Sequence, residues 1–265
     1  MVIGAKQFTE QWIIGELYKQ ALTKAGYNVE LKSNIGSTTI IDGALTSGQI
    51  DVYPEYTGVI LQVLAKSDSM PPTAAQTFRE AKAYQETRGL TMLDPTPFQN
   101  RNAVGVKPEF AKKYGLKTIS DLKKADHVVF AEYPDNMEGA LGYHDMVKTH
   151  GLTNTEVKSL NIGLQYPALD NGQVDAADVF TTDPQLARGD YTILKDVKGY
   201  YGFQNVAPSS ARACRRSRAR IRRDAEPRGR PAHRRGGTRD EPGRRHRAPL
   251  PSEVATEFLR VNDLI

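Results

Sequence analysis

One fourteen-residue stretch occurs twice in this chain. Ala44-Leu45-Thr46-Ser47-Gly48-Gln49-Ile50-Asp51-Val52-Tyr53-Pro54-Glu55-Tyr56-Thr57 returns, without a gap, as Ala168-Leu169-Asp170-Asn171-Gly172-Gln173-Val174-Asp175-Ala176-Ala177-Asp178-Val179-Phe180-Thr181. Six positions are identical, and Ile50/Val174 and Tyr56/Phe180 are conservative pairs. In both copies the pattern predicts a helix that ends at the glycine, a short β segment, and a closing aromatic-Thr pair. Two copies are too few for a solenoid but fit two similar lobes. If the lobes face each other, Tyr56-Thr57 and Phe180-Thr181 stand on opposite walls of one cleft. The plainer alternative is a common helix-turn-strand unit with no shared role.

Strand and helix alternate around the first copy. Val2-Ile3-Gly4-Ala5 reads as a strand and Lys6-Gln7-Phe8 as the loop after it. Thr9 is placed to cap the next helix, with Glu10 in its first turn. Ile14, Leu17, Tyr18, Ala21, Leu22 and Ala25 form one apolar stripe, which Gly26 stops. Tyr27, Val29 and Leu31 alternate as a strand, Gly36-Ser37-Thr38 opens a helix, Ile50 to Tyr53 is a strand, and Thr57-Gly58 starts another helix. This order predicts an α/β fold with mixed, mostly parallel sheets and flanking helices. Ligands of such sheets sit beyond the carboxyl ends of the strands. The loops Lys6 to Thr9, Gly36 to Thr38 and Glu55 to Thr57 lie at such ends. Taken singly, each is equally a solvated lysine or an ordinary cap.

Residues 65–88 read as a polar helical stretch and Leu90 to Leu93 as a strand. The tripeptide Phe98-Gln99-Asn100 returns as Phe203-Gln204-Asn205. A lobe inserted into another needs two crossing strands, and segments 98–106 and 201–208 fit that need. They divide the chain into one lobe of residues 1–102 plus 201–265 and an inner lobe of residues 103–200. Chance repetition of three residues is the alternative. The inner lobe has its own α/β pattern. A helix begins at Ile119-Ser120-Asp121-Leu122, and His127 to Ala131 is a strand. Glu132 to Gly142 is a loop rich in Asp, Asn and Gly, and Tyr143 to His150 is helical. Glu156 to Leu160 is a strand, the second copy follows, and Ile193-Leu194 precedes the return strand.

The 265 residues carry a formal charge of +5, very unevenly spread. Residues 211–250 hold 15 Arg, no Lys and four acids, whereas the remainder holds 16 Lys, five Arg and 27 acids. The basic balance is therefore no argument for nucleic-acid binding by the globular part. From Ser209 to Leu250 the hydrophobic period vanishes, and an amphipathic helix resumes at Pro251. Arg, Ala, Pro and Gly are what GC-rich DNA yields out of frame. Read one base later, permitted codons for Arg220 to Pro227 give Gly-Phe-Ala-Glu-Thr-Leu-Asn. The same shift over Asp240 to Ala248 gives Met-Asn-Arg-Ala-Val-Asp-Ile-Glu. Two readings stand: a pair of compensating frame slips, or a genuine basic insertion that binds phosphates. Intact Arg-rich peptides in a mass spectrum would remove the first.

The residue inventory argues against catalysis. The lone cysteine, Cys214, lies in the Arg-rich stretch, so no disulfide or thiolate metal site is available. His127, His144 and His150 have no metal-ligand spacing with a carboxylate. Neither a nucleophile elbow nor a Gly-Lys-Ser/Thr phosphate loop is present. No apolar run is long enough to span a membrane. Met1-Val2-Ile3-Gly4 leads directly into a structured pattern, as an initiator Met joined to a mature, formerly exported domain would.

Lys6-Gln7-Phe8-Thr9-Glu10-Gln11, Gly36-Ser37-Thr38, Gly48 to Gly58 and Phe180-Thr181-Thr182-Asp183 resemble the solute-binding proteins of ABC importers for glycine betaine, choline, carnitine and related osmoprotectants. The likeness covers residues 2–208 and resumes at 251–265, and Tyr53-Pro54-Glu55-Tyr56-Thr57-Gly58 is its most specific run. The frame-shifted peptides also resemble the family's last helices. The resemblance implies a two-lobed fold of the periplasmic-binding-protein type, type II, closing on its ligand. It implies no enzyme activity, cofactor or metal. The expected partners are a small solute and a membrane permease, with no nucleic acid, for a monomer outside the cytoplasm, periplasmic or lipid-anchored.

Such proteins hold a quaternary ammonium in an aromatic cage. A trimethylammonium has no N–H to donate, so ring faces must hold it, at about 2 kcal/mol per desolvated contact. Carried onto this chain, Tyr56 and Phe180 are walls, while Lys6, Thr57, Thr181, Asn100 and Asn205 donate or accept hydrogen bonds. Thr9, Gln11, Ser37, Thr38, Thr182 and Asp183 complete the expected binding set. The chain departs from the family where Asn102 replaces a cage tyrosine and where Gly202-Phe203-Gln204-Asn205 stands for Pro-Pro-Tyr-Asn. Tyr133, Tyr143, Tyr166, Tyr201 or Phe203 could restore the missing ring, and each could equally be core. A more polar pocket follows, for a small cationic or zwitterionic compound or a polar amino-acid-like solute. A sensory domain on the same scaffold is the second reading.

Overall fold

The computed structural model describes residues 1–67, 69–138, 141–211, 249–262 and 264. The proposed frame-slipped stretch therefore lies outside the described residues for 212–248. Its first residues do not, because Ser209, Ser210 and Ala211 continue a strand. Their small side chains suit a strand buried between two neighbours, so the regular structure runs past the point where the apolar pattern fades.

Two five-stranded sheets build the molecule. The first contains β1 (Val2–Gly4), β2 (Glu30–Lys32), β3 (Val52–Tyr56), β4 (Leu90–Met92) and β10 (Val206–Ala211), in the order β2-β1-β3-β10-β4. The second contains β5 (Asn102–Val106), β6 (Val128–Glu132), β7 (Thr155–Ser159), β8 (Ala176–Phe180) and β9 (Thr192–Leu194), in the order β7-β6-β8-β5-β9. Each sheet has three parallel strands followed by one antiparallel strand that arrives from the other half of the chain. That strand is β10 beside β3 in one case and β5 beside β8 in the other. The two segments between the sheets are joined to each other by a bridge between Gln99 and Asn205.

Helices α1 (Thr9–Lys24), α2 (Thr38–Thr46), α3 (Thr57–Val59) and α4 (Ala74–Thr87) accompany the first sheet. A π-helical turn, Ile60–Leu64, continues α3. Helices α5 (Pro108–Tyr114), α6 (Tyr143–His150) and α7 (Gln165–Asp170) accompany the second. Helix α8 (Pro251–Val261) lies on α1, where Gln20 donates to the Ser252 carbonyl and accepts from Thr256. Thr9 does not cap α1. The capping position is Phe8, in extended conformation with no side-chain cap, so Thr9 is already the first helical residue.

The second sheet is covered on both faces. Val104, Val106, Phe130 and Leu194 meet Ile119, Leu122 and Met146 on one side, and Ala103, Ala131, Ala177 and Val179 meet Tyr166 and Leu169 on the other. Burial on both faces explains why these strands read as continuous apolar runs.

The repeated stretch occupies the same place in both sheets. In each copy the helix closes on a left-handed glycine, with φ of 77° at Gly48 and 65° at Gly172. The alanine carbonyl that opens the motif then accepts two successive amides, Gln49 and Ile50 at Ala44, Gln173 and Val174 at Ala168. Asp51 donates its amide to the Val2 carbonyl at 2.8 Å and accepts the Val2 N–H on its carboxylate at 2.6 Å. Asp175 repeats both bonds with Val129, each at 2.8 Å. The shared glycine and aspartate thus fix helix end and strand register, and deliver Tyr56 and Phe180 to equivalent strand ends.

Candidate functional site

The carboxyl ends of β1, β3, β6 and β8 converge on a cavity of about 150 Å³ between the sheets. Of the residues expected from sequence, Lys6, Ser37, Thr38, Tyr56, Asn100, Asn102, Tyr133 and Phe180 line it. Phe8, Val59, Asn136 and Gln204 line it as well. Phe8 lies in the loop after β1, and Asn136 in the Asp- and Asn-rich loop after β6.

The rings form one continuous stack. Phe8 lies 6.2 Å from Tyr56 and 5.2 Å from Phe180, nearly parallel to both, and Tyr133 meets Phe180 at 6.0 Å. Tyr56 is fixed at both ends. Its hydroxyl accepts from Gln11 at 3.1 Å and donates to Glu10 at 2.8 Å, and its ring carries Lys6 Nζ 5.2 Å from the centroid. Burial holds its hydroxyl pKa well above the ordinary tyrosine value. Glu10 also accepts from the Thr182 hydroxyl, which ties α1 to the loop after β8. Burial raises the Glu10 pKa despite these donors.

Lys6 is buried and already engaged. Its ammonium donates to Glu55 at 2.5 Å and to Thr38 at 2.9 Å. Glu55 is wholly buried and also accepts the Tyr56 amide at 2.7 Å. The second lobe repeats the turn without the lysine. There Glu132 accepts the Tyr133 amide at 3.0 Å, and Asp178 is a second buried carboxyl near it. Burial raises both groups, Glu132 well above its usual range and Asp178 to about 7. Neighbouring carboxyls also disfavour each other's ionisation.

The other expected residues point elsewhere. Thr57 is fully buried and donates to the Phe203 carbonyl at 3.1 Å. Thr181 is exposed and accepts the Arg101 amide at 3.0 Å. Asn205 is buried and donates to Thr96 and Phe98 carbonyls. Asp183 accepts from the Tyr166 hydroxyl and the Phe180 amide, which fixes the Phe180 loop, and burial raises its pKa. Gln11 bonds Lys6 N, Pro54 O and Tyr56 Oη behind the cleft. Tyr201, at the crossing, packs into the core beside the second sheet, Thr9 is exposed, and Phe203 contributes its carbonyl to Thr57. Gly58 lets this crossing segment approach, since a Cβ there would stand 2.7 Å from the Phe203 carbonyl.

Among the described residues no cluster of His, Cys, Asp or Glu suits a metal, and no helix is long and apolar enough to cross a membrane. The arrangement is a ring-walled, amide-lined cleft between two similar lobes, built to enclose a small molecule.

Comparison with known proteins agrees. Residues 1–219 match the model of the substrate-binding domain of ABC-type glycine betaine transport systems. The chain is 36% identical over 219 residues to the glycine-betaine-binding protein of Pseudomonas aeruginosa, covering 78% of this chain and 70% of that protein. It is 29% identical over 204 residues to the carnitine transport binding protein OpuCC of Listeria monocytogenes, covering 75% of this chain and 66% of that one. A crystal structure of a glycine betaine/carnitine/choline ABC transporter component superposes with a TM-score of 0.71, at 22% identity, over 100% of this chain and 99% of the other. That likeness speaks for the fold alone. The chain is thus a non-enzymatic, extracytoplasmic solute-binding component of an ABC importer, and it belongs to the family of substrate-binding domains of ABC-type glycine betaine transport systems.

Proposed function

We propose that the interlobe cleft holds a small cationic or zwitterionic solute, of the chemical kind named for the relatives, with its cationic end against the rings. The Phe8-centred stack carries this reading, because it offers ring faces from both lobes to one cavity. A cation over such faces gains about 1–2 kcal/mol per ring once water is excluded. The ligand's carboxylate or hydroxyl faces Lys6, Ser37 and the N–H groups that open α2. Lys6 has one N–H beyond those given to Glu55 and Thr38. Asn100 and Asn102 complete the polar lining. Gln11, Thr57, Thr181, Thr182, Asp183 and Asn205 support it from behind.

The lobes in this reading are residues 1–102 with 201–265, and residues 103–200. The protein works as a monomer, periplasmic or lipid-anchored, and hands its ligand to a membrane permease. Calorimetric titration with glycine betaine, choline, carnitine, proline betaine and polar amino-acid derivatives tests the ligand class. Tyr56→Ala is expected to weaken the tightest of them by roughly 1–3 kcal/mol. Unchanged affinity in that variant removes Tyr56 from the site.

A further inference from the structure

Two amides of the second lobe that line the cleft spend their N–H groups on the protein, which leaves their oxygens as the groups available to a guest. Asn102 Nδ2 donates to Asp178 at 2.5 Å and to the Tyr133 hydroxyl at 3.1 Å. Asn136 Nδ2 donates to the Leu141 carbonyl at 3.2 Å and, more weakly, to the same Asp178 oxygen at 3.5 Å. A primary amide has two N–H groups, so both are spent in each residue. Asp178 fixes this orientation. Its Oδ2 accepts from both amides, Asn102 at 2.5 Å and Asn136 at 3.5 Å. Rotating either amide would set oxygen against oxygen. Gln204, by contrast, has both ends satisfied, with Oε1 on the Val59 amide and Nε2 on the Tyr201 carbonyl.

We propose that Asn102 and Asn136 make this cleft selective for a cation that still carries N–H donors over its fully methylated counterpart, with Asp178 as the positioning residue. The inference rests on the cation reading above and refines it. A ring box alone does not distinguish a tertiary ammonium from a quaternary one, since both present a positive, partly apolar surface. Carbonyl oxygens do. A charged N–H bonded to a carbonyl is substantially stronger than the C–H contacts that a methyl group offers in its place. A burying cleft also leaves acceptors unsatisfied when the guest has nothing to donate.

Two matched pairs test this by calorimetry on the full chain: dimethylglycine against glycine betaine, and dimethylethanolamine against choline. Each pair differs by one methyl in place of one N–H. The N–H member is expected to bind about threefold to thirtyfold more tightly. Asn136→Leu and Asn102→Leu are each expected to shrink that ratio toward unity. Asn136→Leu serves should the buried partner of Asn102 make the second variant fold poorly. Equal or tighter binding of the methylated members overturns the inference and leaves the cation reading intact. A ratio unchanged in a folded Asn136→Leu protein and in a folded Asn102→Leu protein also overturns it. Binding of no member of either pair overturns the inference and the cation reading together.

Discussion

Phe8 of the first lobe stacks on Phe180 of the second at 5.2 Å, with their planes only 16° apart. The ring that joins the lobes comes from the loop after β1, and it also lies against Tyr56. Phe8→Ala removes the shared member of the stack. Ligand affinity is expected to fall about tenfold or more, whereas Phe8→Tyr retains most of it. Calorimetry on the two variants separates loss of the ring from general loosening of the loop.

The Lys6–Glu55 pair behaves as a buried unit. Side-chain exposure is 6% for Lys6 and 0% for Glu55, so removing the cation alone strands a carboxylate. Lys6→Met is expected to cost about 3–5 kcal/mol in denaturant unfolding. Lys6→Met combined with Glu55→Gln is expected to recover much of that loss. A single variant as stable as the parent would show that Glu55 finds another donor.

The repeated aspartates make a paired prediction. Asp51→Ala and Asp175→Ala each leave a strand amide, Val2 or Val129, without its carboxylate. Each is expected to destabilise by about 1–3 kcal/mol, and the double variant by roughly the sum, since the sites lie in different sheets. Strong non-additivity in urea unfolding would mean that the two sheets do not unfold independently of these contacts.

Glu132 and Asp178 predict a pH dependence. Both take up protons more readily folded than unfolded, Asp178 up to about 7. Protonation therefore favours the folded chain. This stabilisation is fully present below the unfolded carboxylate value of about 4 and is lost as pH rises through the folded values. Glu10 and Asp183, also raised by burial, act in the same direction. Melting temperature is expected to fall between pH 5 and 8. Glu132→Gln removes one raised carboxyl and the like-charged neighbour of Asp178, so the fall should become shallower. An equally steep fall in this variant would assign the effect to the other carboxyls.

The fold was largely readable because burial on both sheet faces and the glycine stops leave strong patterns. Boundaries were less so. The third strand begins at Val52 and not at Ile50, since the Gln49 and Ile50 amides are still occupied by the Ala44 carbonyl. The return strand begins at Val206, because residues 203–205 spend their backbone on the opposite crossing segment and on Thr57.

At the cleft, ring positions could be read from the repeat, but hydroxyl directions could not. Thr57 and Thr181 look alike in sequence, yet one bonds a crossing segment and the other a neighbouring loop amide. Phe8 belongs to no periodic stretch, and Asn136 stands among several similar loop residues. The orientation of an amide depends on a carboxyl 42 residues away in the case of Asn136, a relation that no local pattern carries.

The interior position of β10, between β3 and β4, bears on how the molecule can be made. Residues 102–194 supply every strand of the second sheet in one uninterrupted run, whereas β3 and β4 are joined only by residues 206–211. As the chain leaves the ribosome, the inner half has all its strands before the outer half can close at its middle. Assembly therefore proceeds from the inserted body outward, and the final strand arrives as the wedge that completes the older half.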